Sequence, residues 1–307
     1  MGMVPNMQDG HEPSGDAPAV RLDRACVRYG AIEALHDVSL AIPRGTVTAV
    51  IGPNGSGKST LLGLMSGLVP LASGTVEVLG APVGERRREV AHVLQATRVE
   101  ASGAITVAEA VRMGAYGRRG ALRRLTRDDR ERVRRSIARL DLTDLVDRSL
   151  EALSGGQRQR VHVAQGLAQG GSVLLLDEPI AGLDLVSQEI IARVVREERA
   201  AGHTVLLTTH DVGTAAEADL VVLLATELVA FGPPTEALTP HHLAHAYGGH
   251  AHLLEDGTVI IDDPHHHGPG APSGGPWDHA DDHAAGRAAG HAHVRSPQGA
   301  PEDARDG

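Results

Sequence analysis

The residues best suited to chemistry form one run, Gly52-Pro53-Asn54-Gly55-Ser56-Gly57-Lys58-Ser59-Thr60. It follows a β-branched stretch, Thr46 to Ile51, and leads into an apolar one, Ser59 to Leu68. In this strand–loop–helix setting a glycine-rich loop turns its backbone N–H groups inward around phosphates. Glycine tolerates the bends required, and the helix that follows adds the positive end of its dipole. Lys58 is the only lysine among 29 basic residues. A compact, mobile ammonium suits the crowded space at β- and γ-phosphates better than a planar guanidinium. The spacing therefore assigns Lys58 to the phosphates and Ser59 to a magnesium ion. A turn that binds nothing has no need of this lysine–serine pair.

A second group, Val173-Leu174-Leu175-Leu176-Asp177-Glu178-Pro179, is an apolar strand ending in two acids. Asp177 can hold magnesium through water and Glu178 can polarise an attacking water. Alone it reads as a strand-to-turn junction, and the phosphate loop gives it meaning. A third, Leu153-Ser154-Gly155-Gly156-Gln157, precedes a helical stretch. Ser154 stands at the N-cap and Gln157 where a capping-box partner belongs.

The elements that must position these groups are legible from periodicity. Apolar and polar residues alternate over Ala19 to Val27 and Val38 to Ile42, as in half-buried antiparallel strands, with turns at Gly30 and Pro43-Arg44-Gly45. Thr46 to Ile51, Val173 to Leu176 and Thr204 to Thr208 are continuous enough for buried parallel strands, with a helix over Leu185 to Ala201 between the last two. Between Gln95 and Leu153, Val107 and Val111, then Val133, Ile137 and Leu140, recur at helix spacing, which predicts an inserted helical subdomain. Its many arginines read as a solvated face.

With 307 residues, 41% of them hydrophobic, the chain can bury a sizeable core. Of the net charge of −10, Glu255 to Gly307 carries −7, so the body has no basic field and nucleic acid is not expected as a partner. Cys26 is the only cysteine, which excludes an intrachain disulfide and a cysteine zinc cluster and fits a reducing compartment. Met1 to Pro18 is polar, lacks the pattern of a signal peptide, and is expected to be disordered. The apolar runs fall far short of the ~20 residues that span a bilayer, so any membrane crossing belongs to another chain. After Tyr247 the sequence fills with Gly, Pro, Ala, Asp and His, with one candidate strand at Thr258 to Ile261, and is expected to be largely disordered.

Leu153 to Gln157 matches letter for letter the signature sequence of the ABC transporter ATPases, and it lies between the phosphate loop and the Asp-Glu strand, in that family's order. Over roughly Ala19 to Gly249 the chain resembles an ABC nucleotide-binding domain. The resemblance implies an α/β P-loop NTPase (RecA-like) core with an antiparallel β subdomain and a helical signature subdomain at about 96–155. Residues 1–18 and 250–307 would flank that domain. It implies hydrolysis of ATP with Mg2+, Tyr29 stacked on the adenine, and Gln95 sensing magnesium and the membrane partner; Leu94 stands where the family usually has proline. Asp184, in Ala181-Gly182-Leu183-Asp184, would touch the opposite protomer, and His210 the γ-phosphate. Two copies would stack head to tail, each ATP lying between the Gly52–Thr60 loop of one and Ser154, Gly155, Gly156 and Gln157 of the other. The implied place is the cytoplasmic side of the membrane, with a permease subunit and an extracytoplasmic metal-binding protein as partners.

The metal follows from the ending. Leu228 to Pro234, Leu238-Thr239-Pro240 and Ala246-Tyr247-Gly248-Gly249 resemble the close of zinc and manganese importer ATPases. His250, His252, His265, His266, His267, His291 and His293 then form short tracts among carboxylates, a composition used for divalent metals. Imidazole favours zinc, nickel and copper over manganese, so the expectation is a zinc-binding tail and zinc ahead of manganese as cargo. The alternatives are a solvated low-complexity tail, an importer of another substrate, and a histidine-rich P-loop GTPase that delivers nickel. The last would share loop and tail but would not need Leu153 to Gln157.

Overall fold

The computed structural model describes residues 17–94, 105–120, 123–248, 251–253 and 259–261, all within one compact unit that ends at Asp263. Strands β1 (Val20–Tyr29) and β2 (Ile32–Ile42) form a hairpin, and β3 (Val47–Ile51) leads through the glycine-rich loop into α1 (Lys58–Met65). Strands β4 (Ser73–Val78) and β5 (Ala81–Pro82), the short α2 (Val83–Arg86) and β6 (Val90–Val93) follow. Three helices come next: α3 (Val107–Arg119), α4 (Arg127–Arg139) and α5 (Gly155–Gln169). The chain then alternates β7 (Val173–Leu176), α6 (Leu185–Ala200), β8 (Thr204–Thr209), α7 (Val212–Ala216) and β9 (Leu220–Ala225). It closes with β10 (Glu227–Gly232), α8 (Pro234–Ala237), α9 (Pro240–Tyr247) and a small antiparallel pair, β11 (Ala251–Leu253) and β12 (Val259–Ile261).

Two sheets organise these elements. A four-stranded antiparallel sheet runs β2-β1-β4-β5, and a six-stranded sheet runs β10-β9-β3-β8-β7-β6. In the second, β6, β7, β8, β3 and β9 are mutually parallel, with Val93 beside Leu176, Leu176 beside Leu207, and Ile51 beside Thr209 and Leu223. The carboxyl ends of strands far apart in sequence therefore meet on one edge, where ligands of open α/β sheets bind.

The central sheet separates two cores. Val47, Ala49, Ile51, Leu174, Leu176, Val205 and Leu207 face the side covered by α3 to α6. Val50, Val173, Leu175, Leu206 and Val222 face α1 and the antiparallel sheet, where Leu35, Leu61, Leu62 and Met65 are fully buried. Every residue of β3, β7 and β8 is buried, as strands covered on both faces require.

The boundaries differ from the sequence expectation in places with a local cause. β2 begins at Ile32 rather than Val38, because register shifts around Leu35 break the alternation that marks a strand. α1 stops at Met65 rather than Leu68, as Gly67 turns at φ +71°. β12 coincides with most of Thr258 to Ile261, and its partner β11 lies in a stretch with no strand pattern of its own.

Candidate nucleotide-binding site

The glycine-rich loop is walled by backbone. A Cβ on Gly57, whose φ is +99°, would stand 2.5 Å from the Ala34 carbonyl oxygen and 2.7 Å from Leu35 Cδ2. One on Gly52 would collide with the Leu224 carbonyl oxygen. β2 and β9 thus force glycine at both positions. Lys58 is buried, and its ammonium donates to the carbonyls of Gly52 (2.7 Å) and Pro53 (3.0 Å), bridging the loop from within. Ser59 is exposed and Thr60 half-buried on the first turn of α1. Ser56 Oγ is buried without a hydrogen-bond partner among the described residues.

The start of α1 differs from its peers. Its N-cap is Gly57, with no side-chain bond to the first turn. Thr106, Thr126, Ser154, Asp184 and Thr239 each cap another described helix of eight or more residues. Gly57 itself has no side chain to cap that turn, and the start of α1 adjoins the glycine loop, as an anion site requires. This glycine-started helix, the buried ammonium and the glycine cradle together fit a phosphate chain.

At the end of β7, Asp177 is 5% exposed. Thr208 Oγ1 donates to Asp177 Oδ1 (2.6 Å) and accepts from the Glu178 backbone N–H (2.7 Å). That hydroxyl orients one carboxylate and fixes the backbone of the next residue. Glu178 has φ +46°, a left-handed conformation costly for a residue with a side chain and typical of functional sites. Glu178 and His210 line one cleft of about 190 Å³ with Gly182, Thr209 and Asp211. Asp211 caps α7, accepting from the hydroxyl and the backbone N–H of Thr214 (2.6 Å each), and those bonds hold its carboxyl below the usual range.

Ser154 and Gln157 form a reciprocal box at the head of α5: Gln157 N–H donates to Ser154 Oγ (3.2 Å), and Ser154 N–H to Gln157 Oε1 (3.0 Å). Ser154 and Gly155 are exposed, while Gly156 is buried against Asp184 and Ser187, where a Cβ would clash with both side chains. Asp184 caps α6 by accepting from Ser187 N–H and Oγ–H (2.9 Å each), which lowers its pKa. Tyr29, 51% exposed, ends β1 beside the Gly30 turn.

The structure thus gathers Gly52 to Thr60, Asp177, Glu178 and His210 on the carboxyl edge of the central sheet, and joins Gly156 to Asp184 at a second place. Gln95, His250, His265, His266, His267, His291 and His293 lie outside the described residues, and the side chain of His252 in β11 is not described.

The ABC transporter family model matches residues 35–181. The zinc transport system ATP-binding protein TroB of Treponema pallidum is 39% identical over 239 residues, covering 78% of this chain and 90% of that protein. The manganese transport system ATP-binding protein MntB of Bacillus subtilis is 37% identical, covering 77% and 95%. The chelated iron transport system membrane protein YfeB of Yersinia pestis is 37% identical, covering 80% and 85%. Among solved structures, cbiO1 from Clostridium perfringens, part of the ABC transporter complex cbiONQ, aligns with TM-score 0.63 and 29% identity over 72% of this chain and 91% of its own. The dimeric bacterial ABC transporter cassette MJ0796 aligns with TM-score 0.62 and 26% identity over 70% and 98%.

The chain belongs to the ABC transporter ATP-binding proteins. Its activity is ATP hydrolysis coupled to transport. Among its described residues, no helix is long and apolar enough to cross a membrane. One residue of this ABC ATPase that sequence reasoning passed over is Thr208. The signal is a fully buried threonine hydroxyl near the carboxyl end of a strand covered on both faces, where a hydrogen-bond partner is the rule.

Proposed function

We propose that this ABC ATPase powers a divalent-metal importer, with zinc ahead of manganese as cargo. One observation carries the reading: relatives named for zinc, manganese and chelated iron transport align over more than three quarters of the chain. The histidine tracts His250, His252, His265 to His267, His291 and His293 support zinc, since imidazole prefers it to manganese. In this reading those histidines bind zinc arriving on the cytoplasmic side, where the chain sits against a permease subunit fed by an extracytoplasmic metal-binding protein.

The roles rest on the family resemblance, and the placement of the described residues supports them. The backbone N–H groups of Gly55 to Thr60 hold the phosphates, and Lys58 swings its ammonium from the Gly52 and Pro53 carbonyls toward the β- and γ-oxygens. Ser59, Asp177 and Gln95 would hold Mg2+, which would supply charge neutralisation to the phosphate chain. Thr208 holds one oxygen of Asp177 and so orients the carboxylate that would serve the ion. Glu178 orients the attacking water and takes up its proton, and His210, across the same cleft, donates toward the γ-phosphate. Tyr29 offers its exposed ring to the adenine.

Two copies of the chain complete each site. Ser154, Gly155, Gly156 and Gln157 of one protomer meet the γ-phosphate held by the other, with Asp184 beside them at the interface. A hydroxyl can accept and donate at once, so Ser154 caps its helix and still offers its proton to a phosphate oxygen. Loss of the γ-phosphate removes that partner, and the dimer opens.

Two experiments test the reading at different levels. Glu178→Gln should bind ATP and form a stable ATP-bound dimer with hydrolysis stalled; near-normal turnover would overturn the role of Glu178. A Lys58→Ala strain grown under metal limitation should lose whole-cell zinc selectively. If manganese falls instead, zinc is displaced as cargo, and if no metal changes, the importer reading fails.

A further inference from the structure

The antiparallel sheet carries a cluster that nucleotide chemistry does not use. In a regular hairpin, Glu33 would lie on the same face as Leu35 and point inward, and His36 would have no carboxylate beside it. The register prevents this. Val27 pairs with Leu35 and Arg28 with Glu33, so one step on β1 spans two on β2; Ala25 pairs with Val38, so two steps span three. Two extra residues, one on each side of Leu35, are thus absorbed by β2, and Asp37 takes φ +48° in the second bulge. Leu35 remains fully buried while Glu33 and His36 both turn to the outer face, opposite Cys26 on β1.

The three side chains meet there. The donor atoms of Cys26, Glu33 and His36 all lie within 4.8 Å of one another, and His36 Nδ1 is 3.3 Å from Glu33 Oε2. Tetrahedral zinc with bonds of 2.0–2.3 Å places its ligands about 3.5 Å apart, so small side-chain rotations suffice to close the set. The surroundings match a metal's outer shell. Cys26 Sγ accepts from the Asp37 backbone N–H (3.3 Å) and as a thiol donates to the Arg24 carbonyl (3.8 Å), a proton that a bound cation would displace, and Arg28 Nε holds the other oxygen of Glu33 (3.4 Å). Cys26 and Glu33 are half-buried and His36 is exposed.

We propose that Cys26, Glu33 and His36 form a binding site for a zinc-class divalent cation on the outer face of the β1–β2 hairpin. A thiolate, an imidazole and a carboxylate with one open position select zinc or cobalt and disfavour magnesium and manganese, which prefer oxygen alone. The site shares no residue with the histidine tracts and is independent of what the transporter carries.

The single cysteine makes the test clean. The reduced full chain is titrated with Co2+, and the thiolate-to-cobalt charge-transfer band in the near ultraviolet is followed; only Cys26 can produce it, whatever the histidines bind. The band should appear, be displaced by Zn2+ but not by Mg2+ or Mn2+, vanish in Cys26→Ser, and require about tenfold or more Co2+ in Glu33→Gln and in His36→Gln. Absence of the band at saturating Co2+ overturns the proposal, as does a band of unchanged affinity in both Glu33→Gln and His36→Gln. Should the variants fail to fold, alkylation of Cys26 in the unaltered chain decides: Zn2+ should slow it at least about tenfold, and an unchanged rate refutes the site.

Discussion

The helix that follows the glycine loop and the helix that follows Ser154 both begin with glycines and both are proposed to face the same phosphate chain, yet they are built in opposite ways. α1 starts from Gly57, which has no side chain with which to cap its own helix. α5 starts from a closed capping box in which Ser154 and Gln157 satisfy each other. One terminus is an acceptor-poor socket held open by the walls of β2 and β9. The other has its capping box closed within the single chain and offers a partner the Ser154 hydroxyl proton together with the N–H groups of Gly155 and Gly156. This asymmetry suits a machine in which ATP binds one protomer first and recruits the second afterwards.

Ser154→Asp should break the comparison most sharply. Aspartate is as good an N-cap as serine, so stability should hold within about 0.5 kcal/mol. Its charge facing the γ-phosphate costs several kcal/mol, so ATP-driven dimerisation, read by size-exclusion chromatography of a Glu178→Gln background, should disappear. Persistence of the dimer would mean that α5 does not meet the phosphate. Gly57→Ala attacks the other socket. A strained φ and the Ala34 carbonyl together should lower ATP affinity at least about thirtyfold by calorimetry, with α5 unaffected.

Thr208→Val probes the support beneath the loop. It strands Asp177 Oδ1 and the Glu178 N–H, which should cost about 1–3 kcal/mol in urea unfolding and lower kcat more than ATP affinity. Ser154→Ala should cost only about 1 kcal/mol of stability, the value of a cap, while still weakening the ATP-bound dimer; a pure stability loss would reduce Ser154 to a helix cap.

The smallest expected effect is a pH dependence. Burial lowers the pKa of His92 from its usual 6.5, against the pull of the Asp177 carboxylate. The unfolded chain therefore takes up a proton as pH falls through about 6.5 while the folded chain does not. Stability should be flat above that value and decline below it until the folded pKa is reached. His92→Gln should flatten that decline, read from urea midpoints on either side of pH 6.5.

Legibility in the sequence followed the range of the interactions. Gly52 to Thr60, the Ser154–Gln157 box and the Asp184 cap are local devices, and each could be read from residues within a turn or two. The gathering of Asp177, Glu178 and His210 beside the loop depended on strand order, which the buried parallel strands β3, β7 and β8 implied. Thr208 was hidden because its partner Asp177 stands 31 residues away. The first half of β2 was missed for a related reason: extra residues around Leu35 erase the period of two that a strand reading needs. The same irregularity concealed the neighbours of Cys26, since Glu33 and His36 at a spacing of three belong to opposite faces of any flat strand.

The division of the core by the central sheet has a consequence for how the molecule loosens. The buried side chains under α3 to α6 and those under α1 and the antiparallel sheet share no residue, so each side can open without emptying the other. Native-state hydrogen exchange should resolve two cooperative units, with the amides of β3, β7 and β8 belonging to both and exchanging last. The protomer would then behave as a hinge plate with two leaves, able to swing the signature-bearing leaf while the phosphate-holding one stays shut.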